Sequence, residues 1–145
     1  MAMISVNGVP VAASVEVANT FRARFKGLML RKHLPVGGGM LLTPCNSVHM
    51  AFMRMSLDIV YLGADYTVLA VEPNLKPWRV GRLVRGCRHV LELPAGQAAL
   101  EGIAPGVRLA VRMPMAGSGR LIKPRSAAQS IPCHAPADPP LMERR

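Results

Sequence analysis

Apolar and polar residues alternate along Ser14-Val15-Glu16-Val17-Ala18, the period of a strand with one solvated face. Asn19 and Thr20 then offer an N-cap, and Phe21, Phe25, Leu28 and Met29 recur at i, i+4, i+7 and i+8. That spacing predicts a helix, with Arg22, Arg24 and Lys26 on its other faces. Pro35 and Gly37-Gly38-Gly39 end it in a loop; without a following Lys-Ser/Thr the glycines make a turn and not a phosphate loop. Met40 to Thr43 and Val48 to Arg54 read as strands, and Leu57–Leu62 with Thr67–Glu72 reads as a hairpin across Gly63-Ala64-Asp65-Tyr66. Val90 to Leu93 is a further strand, Ala95 to Ile103 a short helix, and Val107 to Arg112 a closing strand. Six or seven strands with two short helices predict a β-rich α+β single domain, its mixed or antiparallel sheet curled into a half-closed barrel.

Composition changes near Pro114. Residues 114–145 hold Gly117, Gly119, Pro124, Pro132, Pro136, Pro139 and Pro140, with five basic and two acidic side chains and little to bury. This reads as a basic, mostly disordered tail after a folded domain spanning residues 1–113. Across the chain 18 Lys+Arg face 8 Asp+Glu, a formal charge of +10, and residues 1–113 keep about +7 of it. Such a field favours acidic partners, and charge alone does not choose among nucleic acid, an anionic membrane and an acidic protein. Three cysteines (Cys45, Cys87, Cys133) are too few for a disulfide scaffold and fit a reducing, cytoplasmic setting.

The first basic residue is Arg22, so the charged opening of a secretory signal is missing. Leu34 to Met53 lacks charge but is broken by prolines, glycines and polar residues, which argues against a membrane helix.

Several blocks carry a resemblance. Gly27-Leu28-Met29 with Arg31, then Gly39-Met40-Leu41-Leu42, resembles the opening of the bacterial and archaeal family called domain of unknown function 192. Cys45-Asn46-Ser47-Val48-His49-Met50, Phe52-Met53-Arg54 and Leu57-Asp58-Ile59-Val60-Tyr61-Leu62 are similar to its central block. Leu75-Lys76-Pro77-Trp78-Arg79 and Leu91-Glu92-Leu93-Pro94-Ala95-Gly96 complete the set, in order, across roughly residues 13–112. Met50 and Ser56 stand where many relatives have threonine and proline. The resemblance implies a small β-rich fold and brings no catalytic residues with it.

Candidate chemistry gathers in the same blocks. Cys45 and His49 would share a strand face about 13 Å apart, too far for thiolate activation unless the chain bends. Otherwise Cys45 is a small apolar filler and His49 an oriented imidazole. Asp58 and Glu92 interrupt apolar strands and each needs a partner if buried; Arg31, His49 or a backbone nest would serve Asp58. A buried Asp58 beside His49 would suit acid/base chemistry of a hydrolase or transferase, whereas pinning a strand or capping a turn needs only the carboxylate. Arg79, Arg82, Arg85 and Arg88 recur every third residue after Trp78, a basic loop suited to a phosphate, a nucleic-acid backbone held without sequence preference, or an acidic protein surface, and also readable as a solvated loop. Ten methionines, with Met50, Met53 and Met55 beside His49 and Cys45, would suit a soft ion such as Cu(I), but Met50 faces away from Met53 and Met55 in a regular strand, and a chain with three phenylalanines needs methionine as apolar filler; no Cys-x2-Cys or His-x3-His pair supports zinc. These residues call for no metal and no cofactor. The expectation is a non-enzymatic binding or accessory domain for an acidic partner, built from Arg31, His49, Asp58, Trp78, Arg79, Arg82 and Glu92.

Overall fold

The computed structural model describes residues 1–20, 22–23 and 28–113. Seven strands, β1 (Ala2–Val6), β2 (Val9–Ala18), β3 (Gly38–Leu42), β4 (Leu57–Leu62), β5 (Val68–Leu75), β6 (His89–Pro94) and β7 (Leu109–Arg112), form one sheet of order β5-β4-β6-β3-β2-β1-β7. Only β2 and β3 pair in parallel; the other neighbours are antiparallel, so the sheet is mixed. Its two ends meet on one side. The Val68 amide donates to Val107 O at 2.8 Å, the Gly106 amide to Val68 O at 2.8 Å, and the Leu109 amide to Tyr66 O at 3.0 Å. This partial seam curls the sheet into the expected half-barrel.

Alternation along the strands sends side chains into two separate cores. The barrel interior holds Ile4, Val15, Leu41, Val60, Leu62, Leu91 and Leu93. The opposite face holds Met40, Leu42, Ile59, Tyr61 and Val90, covered by loop residues Leu28, Val48, Met50, Met53 and Cys87.

Several sequence expectations change. Strand β1 was not expected; Asn7 (φ 50) and Gly8 (φ 84) turn it into β2 through a tight left-handed hairpin, with Val6 opposite Val9. Val48 to Arg54 is no strand: its only bridge is His49 to Val80, and Met50 and Met53 are buried from a loop in which Phe52 takes φ 59. The helix expected over Ala95–Ile103 shrinks to α1 (Gln97–Leu100), because left-handed Gly96 and Gly102 bracket it. Two helices were expected, and among the described residues α1 is the one with defined ends. The helix expected on Phe21 and Phe25 falls largely outside the described residues; within them, Thr20 Oγ1 accepts from the Ala23 amide at 3.2 Å. The tail of residues 114–145 also lies outside them.

Candidate functional site

The sheet separates the two carboxylates that the sequence makes look alike. Asp58 shares a face with Val60 and Leu62 and points into the barrel, 1% exposed. Its Oδ1 accepts from the Asn74 amide at 2.9 Å and its Oδ2 from the Ala98 amide at 3.0 Å. Gly96 precedes α1 and has no side chain to cap it, so a carboxylate from a distant strand takes that role. The Gln97 side chain completes the seat by donating to Val11 O at 2.9 Å. Asp58 thus fastens α1 and the end of β5 to the barrel.

Glu92 lies on the other face. Register places Glu16, Met40, Glu92, Ile59 and Glu72 in one row across five strands. The two outer carboxylates are paired. Glu16 takes a two-pronged contact from Arg31 at 2.6 and 2.8 Å, which holds its carboxyl below the usual range. Glu72 accepts from the Tyr61 hydroxyl at 2.9 Å and the Arg82 amide at 3.1 Å. Burial, followed by that Glu72 contact, pushes the Tyr61 phenol well up. Glu92, in the middle, is 5% exposed, and its Oε2 is the one buried side-chain oxygen or nitrogen among the described residues without a hydrogen-bond partner. Burial raises its carboxyl to about 7.

Loops cover this face. The Met50 amide donates to Arg79 O at 2.8 Å and the Trp78 amide to Met50 O at 2.9 Å, while the Leu30 amide donates to Phe52 O at 3.1 Å. These bonds tie three loops together and lift two aromatic rings outward. Phe52 and Trp78 meet edge to face, centroids 5.0 Å apart at 63°, and stay 52% and 67% exposed. Both backbones sit in the left-handed region, φ 59 and 63, a costly conformation for bulky residues. Arg79 and His49 are exposed beside them in sequence, and Arg82 turns away to Val71 O and Glu72.

The structure therefore brings Trp78, Arg79, Phe52 and the His49–Val80 bridge to one surface and leaves Asp58 on the far side of the sheet. Cys45 lies in the loop after β3, its thiol donating to Ser47 O at 2.9 Å. Sequence reasoning missed Phe52 as a site residue. Its place beside Trp78 rests on contacts between loops 26 residues apart, which no local pattern encodes.

Gly81 shows how tightly the cover is laid down: a Cβ there would stand 2.5 Å from the Tyr61 hydroxyl and 2.9 Å from Val48 Cγ2. Gly81→Ala should cost about 1–3 kcal/mol by overpacking, read by urea denaturation, and part the Tyr61–Glu72 contact. An unchanged midpoint would show that the cover yields freely.

A mixed, seven-stranded half-barrel with a loop-covered outer face defines a small β-rich single-domain protein. The profile of the domain of unknown function 192 family, described as "Uncharacterized ACR", matches residues 2–111, and the chain belongs to that family. Among its relatives, a UPF0127 protein of Pyrococcus furiosus is 33% identical over 105 residues, covering 70% of this chain and 90% of that protein. A UPF0127 protein of Thermococcus sibiricus is 34% identical over 86 residues, covering 57% of this chain. The match spans 55% of that second protein's length. A crystal structure of a protein of unknown function from Novosphingobium aromaticivorans superposes with a TM-score of 0.66 at 27% identity, over 74% of this chain and 81% of that one. Another, described as a putative transcription regulator from Sinorhizobium meliloti, gives 0.63 at 25%, over 74% and 89%. The family's function is undefined. No helix among the described residues is long and apolar enough to cross a membrane.

Proposed function

We propose that the chain is a non-enzymatic binding domain whose Phe52–Trp78 surface docks an acidic protein segment. The observation that supports it is the aromatic pair itself: two large rings held in water by left-handed backbones and interloop hydrogen bonds, on a domain of net positive charge. Exposed aromatics beside arginine are the residue types that dominate protein–protein hot spots. Leu30 and Val80, 63% and 74% exposed, extend the apolar area. Arg79 has no acidic partner among the described residues, and Lys76 and Arg54 lie on the same two loops. An open surface of this kind suits a partner segment with carboxylates around one or two apolar anchors more than an enclosed small anion.

Trp78 is the single tryptophan, so its fluorescence reports directly on that surface. A synthetic peptide alternating glutamate and leucine should shift the emission to the blue, and a lysine–leucine peptide should not. Phe52→Ala and Arg79→Glu should each weaken binding about tenfold or more, with the melting temperature little changed. Equal response to both peptides, or none, overturns the reading. Tighter binding of a single-stranded oligonucleotide, falling steeply with salt, would transfer the surface to nucleic acid.

A further inference from the structure

A second concavity lies on other loops. Pro44, Cys45, Asn46, Cys87 and Arg88 line a pocket of about 220 Å³. The Cys45 amide donates to Arg88 O at 2.9 Å, so the chain leaving β3 runs beside the chain entering β6 and both cysteines line the pocket. The Cys87 thiol stands 3.5 Å from the Cys45 carbonyl oxygen and 3.2 Å from His89 O; the Cys45 thiol donates to Ser47 O. Among the described residues, no disulfide joins either cysteine to another. Thiols are weak donors, so these contacts are given up at little cost.

The pocket offers soft sulfur and no carboxylate. Among the described residues no three His, Cys, Asp or Glu side chains gather as a metal-holding group, which leaves a four-coordinate zinc site unsupplied. Two thiolates do suit a soft, closed-shell ion that accepts two ligands in line, and thiolate ligands select Cu(I). We propose that Cys45 and Cys87 form a two-coordinate thiolate site for Cu(I), with Arg88 beside it. Binding forms two Cu–S bonds and releases two thiol protons to solvent, with no change of oxidation state. The bis-thiolate complex carries one net negative charge, which Arg88 offsets.

The test uses the full-length chain with Cys133→Ser, reduced and under nitrogen, titrated with Cu(I) against bicinchoninate. The expected result is one Cu(I) per chain, with affinity falling about a hundredfold in Cys45→Ser and in Cys87→Ser as one of two tethered donors is lost. A second reading needs no further variant: a disulfide thiol reagent should count two reactive thiols without Cu(I) and none with it. No competition with the chelator, binding that survives either serine variant, or thiols that stay reactive under bound Cu(I) each overturn the site. Survival in both variants would place the metal on the methionines of the outer core.

Discussion

Glu92→Gln should abolish a loss of folding stability that the parent shows between about pH 4.5 and pH 7. The Glu92 carboxyl titrates near 4.5 in an unfolded chain and near 7 in the folded one. A raised carboxyl binds its proton more tightly when folded, so the folded state is favoured below the lower value and loses ground as pH rises through the higher one. The shift corresponds to about 3 kcal/mol of destabilisation above pH 7. Unfolding free energies of parent and variant from urea denaturation should therefore coincide near pH 4 and differ by that amount at pH 8, the variant being more stable. Taking the difference isolates Glu92 from other groups. Burial lowers His89, which works in the opposite direction as pH rises, and Glu16 and Asp65, both lowered, act only at more acidic pH. A parent–variant difference that stays constant with pH would show that Glu92 is solvated in the folded protein.

The second large effect is expected at Asp58. Asp58→Ala removes the acceptor of two main-chain amides, Asn74 and Ala98, and leaves a void at a site 1% exposed. Hydrogen bonds to a charged group contribute about 1.5–3 kcal/mol each, so the loss should be on the order of 4 kcal/mol. Asp58→Asn keeps one acceptor oxygen and turns an NH2 toward the other amide, and should lose about half as much. Amide exchange should quicken at Ala98 in both variants. If Asp58→Ala unfolds within 1 kcal/mol of the parent, α1 is held by its apolar contacts and the carboxylate is incidental.

Much of the barrel was legible because short apolar runs bounded by turn residues mark its strands, β4 and β6 being buried on both faces. The β4–β5 hairpin, β6 and the curled sheet follow from those runs and the turn residues between them. The β1–β2 hairpin has a sequence signal too, Asn7-Gly8 flanked by apolar residues, but Val9-Pro10-Val11-Ala12-Ala13 before Ser14 does not alternate. Val48 to Arg54 misled for a physical reason: Met50 and Met53 are buried by folding back over a sheet, and a loop that does so copies a strand's pattern without its ladder. The site was half visible. Trp78, Arg79 and Glu92 stand out as residue types, yet Asp58 and Glu92 look equivalent until register puts them on opposite faces. Asp58's partners come from β5 and α1, far off in sequence, whereas the neighbours beside Glu92 on adjacent strands are Met40 and Ile59, which offer it no donor.

The pairing of β1 with β7, Met3 opposite Arg112, also bears on how the chain is made. During synthesis β1 through β6 emerge in turn and each finds a neighbour already present or soon to follow. The outer edge of β1 waits for Leu109–Arg112. Until about residue 112 clears the ribosome, that edge and the start of β5 carry unpaired main-chain groups beside apolar side chains, the condition under which nascent β-proteins pair with one another. A chain stopped just before β7 should be recovered mainly as aggregate.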